Sequence, residues 1–201
     1  MQGHTDVVLD STGIEQAVAV GSRLAGSGNA PVAVYCSDLS RAKDTAAEIA
    51  RPLGLELNID SNLRETCLGD WEGLTGEEIV ARGDGALLQK YREDAYHNRP
   101  PNAETMDSVW ERMLAAYRGI YLQHSAGRSA IAIVGHGGSL RALLCQAMGA
   151  NVTSMKHLWL SNAGVSIIEC TRPIRQDDNS MPFQRITLLN DTSHLPSHLS
   201  T

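Results

Sequence analysis

The stretch that decides the fold class runs from Ala130 to Leu143 and reads Ala-Ile-Ala-Ile-Val-Gly-His-Gly-Gly-Ser-Leu-Arg-Ala-Leu. Its apolar run, Ala130–Val134, is short enough for a strand that is buried on both faces. Gly135 ends the run, and from Ser139 onward apolar residues recur at steps of three and four, which indicates a helix. The stretch therefore predicts a strand, a glycine-rich turn that carries His136, and a helix.

Three physical arguments favour the turn as a ligand site. In open α/β sheets, ligands bind beyond the carboxyl ends of the strands. Glycines let the backbone approach a ligand closely, and the free N–H groups at a helix N-terminus attract anions. A histidine beside a strand is more often structural than catalytic, but the glycines on both sides of His136 leave its ring uncovered. Both roles stay open on this stretch alone.

A second strand and helix surround Arg41. The apolar run Val32–Cys36 predicts a buried strand, and a helix continues from about Ser40 to about Ile49. Arg41 then falls in the first turn of this helix, where its charge opposes the helix dipole. One interpretation is an exposed arginine in a salt bridge. The other is a guanidinium fork that holds a bound anion.

The segment from Leu63 to Thr75 has no clean period and concentrates charges, two glycines and a tryptophan. Long irregular segments of this kind are often binding loops. The alternative is an ordinary loop, and for Trp71 itself we favour a place in the core. Thr75 and Glu78 have the spacing of a capping box, which predicts a short helix.

The rest of the chain alternates between helical and extended patterns. The predicted elements are a helix to about Leu24 with Ser11 and Thr12 as N-cap candidates, a helix from about Thr105, and strands at Leu53–Ile59, Val165–Cys170 and Phe183–Leu189. Thr171–Pro182 is predicted to be an exposed hairpin or loop, and the tail His194–Thr201 to be loosely ordered. This alternation predicts a single α/β domain over residues 1–201, with a mainly parallel sheet flanked by helices in three layers.

Charge and cysteine content indicate which binding partners and which cellular location to expect. A net charge of −6 and a pI near 5.6 argue against nucleic acid or an anionic membrane as the main partner. The four cysteines lack metal-ligand spacing and are interpreted as free thiols, which favours a reducing, cytoplasmic location. No apolar run has transmembrane length, and no charged-then-apolar leader opens the sequence. A homodimer is expected only because dimers are common.

Three candidate residues follow separate strands: Arg41, Glu65 and His136. An arginine can hold phosphate oxygens bidentately, and a carboxylic acid can protonate a leaving oxygen. A histidine can hydrogen-bond a phosphoryl group while charge develops on it. If these side chains meet at one site, they suit phosphoester chemistry.

Several motifs in the same order resemble the histidine phosphatase superfamily, the phosphoglycerate mutase-like enzymes. They are Gln2-Gly3-x-x-Asp6, Ser37-x-Leu39-x-Arg41, Leu63-Arg64-Glu65, Gly69-x-Trp71-Glu72-Gly73 and Gly135-His136-Gly137. The resemblance covers nearly the whole chain. It implies a phosphomonoesterase or a mutase that acts on a small phosphorylated metabolite, and the loop Leu63–Leu74 looks more like the phosphatase branch.

The resemblance also implies roles for individual residues. The family transfers the phosphoryl group to a histidine in an Arg-His-Gly motif on its first strand. Glu65 would protonate the leaving group and then act as base for water, Arg41 would hold the phosphate, and His136 would complete the phosphate pocket. The substrate side would be formed by Gln2, Gly3 and Gly137. The family mechanism needs no metal and no cofactor.

This sequence departs from the family in one serious respect, because it contains no Arg-His-Gly. Its first residues match the family only after that motif, and His4 matches the following loop. A smaller departure is Asn102-Ala103-Glu104-Thr105, where the family usually has Gly-Gly-Glu-Ser, so Glu104 carries over only weakly.

Two explanations for the missing motif compete. In the first, Met1 is an internal methionine and the first family strand is encoded upstream. In the second, the chain is an inactive pseudoenzyme that binds a phosphorylated ligand. We expect the first, since loss of a central strand would leave backbone groups unpaired at a cost of ~1–3 kcal/mol each.

Overall fold

A parallel three-stranded sheet forms the centre of the fold, as the apolar runs predict. In this computed structural model, which describes residues 1–125, 127, 129–170 and 181–199, β1 (Pro31–Cys36) lies between β2 (Leu57–Ile59) and β3 (Ala130–Val134). β1 runs parallel to both neighbours. Cys36 pairs with Val134, so the carboxyl ends of β1 and β3 meet at the same edge of the sheet.

Helices cover both faces of this sheet. On these faces lie α1 (Ser11–Ala25), α2 (Ser40–Ala50), α5 (Met106–His124) and α6 (Gly137–Ala147), whereas α3 (Gly76–Ile79) and α4 (Gly85–Glu93) pack around Trp71 in a separate cluster. Val34 and Cys36 of β1 pack in one apolar cluster with residues of α1 and α2. Ala33 and Tyr35, the alternate residues of the strand, pack in another with residues of α5 and α6. Because side chains alternate along a strand, the result is the predicted three-layer α/β architecture.

A second sheet consists of two antiparallel strands, β4 (Val165–Cys170) and β5 (Gln184–Asp191). β4 shares both core clusters with β3, since Val165 packs in the cluster of Val134 and Ile168 in that of Ile133. Within the described residues, β3 pairs with β1 alone and β4 with β5 alone. All five residues of β3 are only half-buried, although the strand is wholly apolar.

The capping residues in the sequence predicted the starts of two helices correctly and that of a third incorrectly. Thr75 caps α3 in the predicted capping box with Glu78, and Thr105 caps α5. The N-cap of α1 is Asp10, whose carboxylate accepts the N–H of Gly13, so the proposal of Ser11 or Thr12 was wrong. Short 3₁₀ turns cover Arg51–Leu53, Ser61–Leu63, Gly69–Trp71 and Val152–His157, and a π turn covers Val80–Asp84.

Three other expectations need correction or lie outside the described chain. The strand expected at Leu53–Ile59 is confined to Leu57–Ile59, because a 3₁₀ turn and Gly54 at φ 66° precede it. The tail is packed where it is described: Leu199 is buried, and its carbonyl accepts a hydrogen bond of 2.7 Å from Gln16 Nε2. The segment predicted as an exposed loop, Thr171–Pro182, falls largely outside the described residues.

None of the helices in the described part of the chain is both long enough and apolar enough to cross a membrane.

Candidate active site

His136 lies where β3 gives way to α6. It is the N-cap residue of that helix, with an extended backbone at φ −131° and ψ 159°, and it is 8% exposed. Its Nε2 lies 2.7 Å from Oγ of Ser37, the residue that follows β1. Burial, reinforced by the positive charges of Arg41 and Arg112, lowers the pKa of His136 to about 3. The imidazole is therefore neutral near pH 7, with one N–H donor and one acceptor nitrogen.

Glu65 is held against the helix that His136 caps. Its Oε2 accepts the N–H of Gly138 at 2.9 Å, and its Oε1 accepts the N–H of Ser139 at 3.0 Å. A third N–H, from Thr66, reaches Oε1 at 2.8 Å. These donors belong in part to the first turn of α6, where the helix dipole favours an anion. The approach requires a glycine at position 138, since a Cβ there would lie 2.2 Å from Oε1.

Arg41 reaches the same end of the sheet from the first turn of α2. Its Nη1 donates to the carbonyl of Thr5 at 2.9 Å, and its Nη2 donates to the carbonyl of Gly3 at 2.8 Å. Burial lowers the pKa of Arg41, and the negative charge of Glu65 opposes this shift. Arg41 binds the carbonyl of Gly3, and the next residue, His4, contacts the carbonyl of Glu65 at 2.8 Å, so Arg41 lies at the same end of the sheet as Glu65 and His136.

The three residues expected on the substrate side differ in their exposure and in their neighbours. Gly3 is buried at φ 55°, and a Cβ on it would lie 2.5 Å from Glu72 Oε1. Gln2 is exposed, and its carbonyl accepts the N–H of Thr5 at 3.0 Å. Gly137 is the first residue of α6 and lines a cavity beside that helix.

Sequence analysis did not identify Arg112, which fixes the loop of Glu65 from α5. Its Nη2 donates to the carbonyl of Glu65 at 2.9 Å, and its Nη1 donates to the carbonyl of Arg64 at 2.8 Å. The same guanidinium pairs with Glu104, with Nε 2.7 Å from Oε1. These contacts span up to 48 residues of chain, and no local pattern reveals them. Glu104 therefore supports the loop of Glu65 both through Arg112 and directly, since its Oε2 accepts the N–H of Cys67 at 3.3 Å.

Sequence analysis also missed the cavity next to α6. It measures about 210 Å³ and is lined by Gly137, Gly138, Arg141, Leu158, Trp159 and Leu160. Arg141 fixes its wall, because Nε donates to the carbonyl of Gly137 at 2.9 Å and Nη1 to that of Leu158 at 3.4 Å. The indole of Trp159 is 80% exposed at this cavity.

The arrangement has the parts that phosphoester chemistry requires. A guanidinium can exchange its two carbonyl partners for two phosphate oxygens. A neutral histidine can donate to a phosphoryl oxygen, and a carboxyl group can move a proton at the ester oxygen. The N-terminus of α6 adds a positive dipole end next to these groups.

Comparison with known proteins points to the same chemistry. Residues 1–175 match the sequence model described as the histidine phosphatase superfamily (branch 1). The chain is 37% identical over 157 residues to a glucosyl-3-phosphoglycerate phosphatase of Mycolicibacterium vanbaalenii, which covers 76% of this chain and 68% of that protein. It is 32% identical over 169 residues to a metal-independent phosphoserine phosphatase of Arabidopsis thaliana, which covers 84% of this chain and 68% of that protein.

Solved structures agree with the sequence comparison. A mycobacterial glucosyl-3-phosphoglycerate phosphatase in complex with VO3 superimposes with a TM-score of 0.81 at 31% identity, over 94% of this chain and 90% of that one. A structure of the same enzyme with inorganic phosphate gives a TM-score of 0.81 at 30% identity, over 98% and 93% of the two chains.

Proposed function

The chain belongs to the histidine phosphatase superfamily (branch 1), and from this premise we propose that it hydrolyses the phosphomonoester of a small phosphorylated metabolite. The observation that carries the proposal is that Glu65 and His136 meet at the N-terminus of α6, with Arg41 tied to the same loop through Gly3 and His4. Relatives named as phosphatases support the same activity. A catalytically inactive binding domain, the alternative, is less favoured because these relatives are named as enzymes.

We propose the following roles. Arg41 releases the carbonyls of Gly3 and Thr5 and binds two oxygens of the phosphoryl group. His136 donates to a third oxygen as negative charge develops on it. Glu65 protonates the leaving oxygen and then takes a proton from the water that attacks the phosphoryl-enzyme intermediate.

The family's phosphoryl acceptor is the histidine of an Arg-His-Gly motif, and the 201 residues do not contain this motif. We propose that a further strand bearing this motif pairs with β3 and forms one domain with residues 1–201. Two observations support this. β3 is wholly apolar yet half-buried, and its edge away from β1 has no partner among the described residues. In the part of the chain that the structure describes, β4 does not pair with β3, yet residues of both strands pack in the same two apolar clusters, so β4 lies beyond the free edge of β3.

We propose that the alcohol part of the substrate binds in the cavity beside α6. Gly137 and Gly138 line this cavity, so its floor adjoins the N–H groups that contact Glu65. Trp159 offers an exposed aromatic face to the organic part of a ligand. We place Gln2 and Gly3 on the side of Arg41. The relatives named for glucosyl-3-phosphoglycerate and phosphoserine support a small polar phosphoester.

The decisive experiment compares three polypeptides in hydrolysis of p-nitrophenyl phosphate. These are the 201-residue chain, the chain extended at its N-terminus by a Leu-Val-Arg-His-Gly strand with its loop from a relative, and the same extension with alanine replacing the motif histidine. We expect turnover in the second alone, together with a phosphohistidine trapped by rapid acid quench. No turnover in any of them would favour the inactive binding domain. Turnover in the 201-residue chain that depends on His136 would show that the acceptor was misassigned.

A cytoplasmic location and a homodimer are two further proposals. The first is supported by the cysteines, since Cys36, Cys67, Cys145 and Cys170 are all free thiols. The second is supported only by the frequency of dimers among soluble proteins, and sedimentation equilibrium tests it.

A further inference from the structure

Three side chains of metal-ligating type converge beside the candidate active site. His4, Cys67 and Glu72 each offer a ligand atom, and these atoms lie within 4.8 Å of one another. All three residues are half-buried, which keeps them accessible to an ion while limiting competition from water. We propose that His4, Cys67 and Glu72 form a binding site for one zinc ion, separate from Arg41, Glu65 and His136.

The imidazole of His4 is oriented as a ligand. Its Nε2 lies 2.8 Å from the backbone carbonyl of Glu65. A carbonyl oxygen only accepts, so Nε2 carries the proton and Nδ1 keeps its lone pair in the neutral ring. Histidines that bind metals typically donate their second ring N–H to a carbonyl or a carboxylate, which fixes the tautomer. The support that a zinc-bound histidine needs is thus already present.

Glu72 can coordinate an ion while it keeps its two backbone hydrogen bonds, and only the hydrogen bond between the Cys67 thiol and its carboxylate is replaced by bonds to the metal. Its Oε1 accepts the N–H of His4 at 2.8 Å and the N–H of Leu68 at 2.9 Å. Both bonds go to the same oxygen, so Oε2 can face the ion while they persist. The carboxylate also fixes the backbone beside His4 and the backbone beside Cys67, and this holds both other ligands in place.

The donor set favours zinc over magnesium or calcium. The thiolate is a soft ligand and the imidazole a borderline one, and zinc also accepts a carboxylate, whereas magnesium and calcium prefer all-oxygen sites. Zinc binds such ligands at about 2.0–2.3 Å, which places tetrahedral donor atoms about 3.5 Å apart. The separations of up to 4.8 Å therefore need only a small inward rotation of side chains. On binding, the Cys67 thiol gives its proton to solvent, and a water molecule takes the fourth position.

The competing explanation is purely structural, since the same residues join the N-terminal segment to the loop of Glu65 by hydrogen bonds. Cobalt(II) distinguishes the two, because a cobalt–thiolate bond gives a charge-transfer absorption in the near ultraviolet and intense d–d bands when tetrahedral. We expect the 201-residue chain to bind one Co²⁺ with both signatures, and zinc to displace it. Calorimetric titration with Zn²⁺ should give the same stoichiometry.

Matched variants locate the site. Cys67→Ser should abolish the charge-transfer band, and both it and His4→Gln should weaken zinc binding at least about tenfold. Cys170→Ser removes another half-buried thiol, and His97→Gln removes an exposed histidine, so these controls should bind like the parent. Binding by the parent that is unchanged in Cys67→Ser, or no binding by the parent, would overturn the proposal.

A measurement on the unaltered chain covers the case in which Cys67→Ser does not fold. Zinc should slow the alkylation of Cys67 by iodoacetamide and leave that of Cys170 unchanged, as read by peptide mass spectrometry. Equal alkylation rates of Cys67 with and without zinc would contradict the site whatever the behaviour of the variants.

Discussion

Oγ of Ser37 lies 2.7 Å from Nε2 of His136, and this buried contact joins the ends of two parallel strands across 99 residues of sequence. Ser37 follows β1 and His136 follows β3, and the register of these strands brings the two residues side by side. The hydroxyl fixes the plane of the imidazole, so the structural and the functional interpretations of His136 are compatible.

The variant Ser37→Ala tests this contact. It leaves Nε2 of His136 without its buried partner, so we expect the free energy of unfolding to fall by about 1–3 kcal/mol. Urea denaturation of the 201-residue chain, with and without the substitution, measures this change in the free energy of unfolding. Ser27→Ala is the control, because Ser27 makes an exposed hydrogen bond to the carbonyl of Leu24, and its effect should stay within about 0.5 kcal/mol. Equal effects of the two substitutions would show that the Ser37 contact is unimportant.

The low pKa of His136 makes stability depend on pH. The pKa of His136 is 6.5 in the unfolded chain and about 3 in the folded one. Below pH 6.5 the unfolded state therefore binds a proton at His136, whereas the folded state does not. Stability is therefore lost as pH falls from 6.5 toward 3, by up to about 1.4 kcal/mol per pH unit.

His136→Gln should remove this component of the pH dependence. Urea denaturation between about pH 7 and pH 4 should give a shallower slope for the variant than for the parent. Burial also lowers the pKa of His194, but that histidine is present in both proteins and cancels in the difference. Parallel curves for the two proteins would rule out a strongly depressed pKa at position 136.

Gly138→Ala tests the placement of Glu65. The added Cβ would lie 2.2 Å from Oε1 of Glu65 and must displace the carboxylate. In the extended, active chain we expect kcat to fall at least about tenfold, because small displacements of a reacting group are costly. Gly28→Ala serves as control, since no atom lies within 4 Å of a Cβ there. A kcat equal to that of the parent would remove Glu65 from the proton transfer.

Arg41→Ala tests the phosphate-binding role. Charge-assisted hydrogen bonds to the anion would be lost, so in the extended chain inorganic phosphate should bind more weakly by about 2–3 kcal/mol in calorimetric titration. Arg51→Ala removes a largely exposed arginine that pairs with Glu48, and it should leave phosphate affinity unchanged. If Arg41→Ala binds phosphate as tightly as the parent, Arg41 does not contact the anion.

Trp159→Ala tests the proposed alcohol pocket. The indole is 80% exposed, so stability should change little while contact with the organic part of a substrate is lost. We expect KM for a phosphorylated sugar or amino acid that the extended enzyme hydrolyses to rise by about three- to tenfold. Inhibition by inorganic phosphate, which has no organic part, should not change. Val8→Ala offers an exposed apolar control, and an unchanged KM in Trp159→Ala would place the alcohol elsewhere.

The sequence by itself determined the architecture and three residues of the candidate site. The continuous apolar runs at Val32–Cys36 and Ala130–Val134 were correctly predicted as strands, although Ala130–Val134 is only half-buried and not buried on both faces as expected. Residues that follow those runs were expected at one edge of a parallel sheet, which made Arg41 and His136 candidates for one site. Trp71 was correctly assigned to the core, where it is fully buried.

Tertiary structure alone decided the contacts that support and extend the site. α4 escaped prediction because its sequence is polar and only Leu88 is buried. The hydrogen bond from Arg112 to Glu65 and the convergence of His4 with Cys67 and Glu72 join segments 47 to 68 residues apart. Such contacts depend on the paths of loops that have no period of their own. Local chemistry thus fixes where a chain is extended or helical, whereas side-chain pairings across loops arise only when the packed elements set the distances between them.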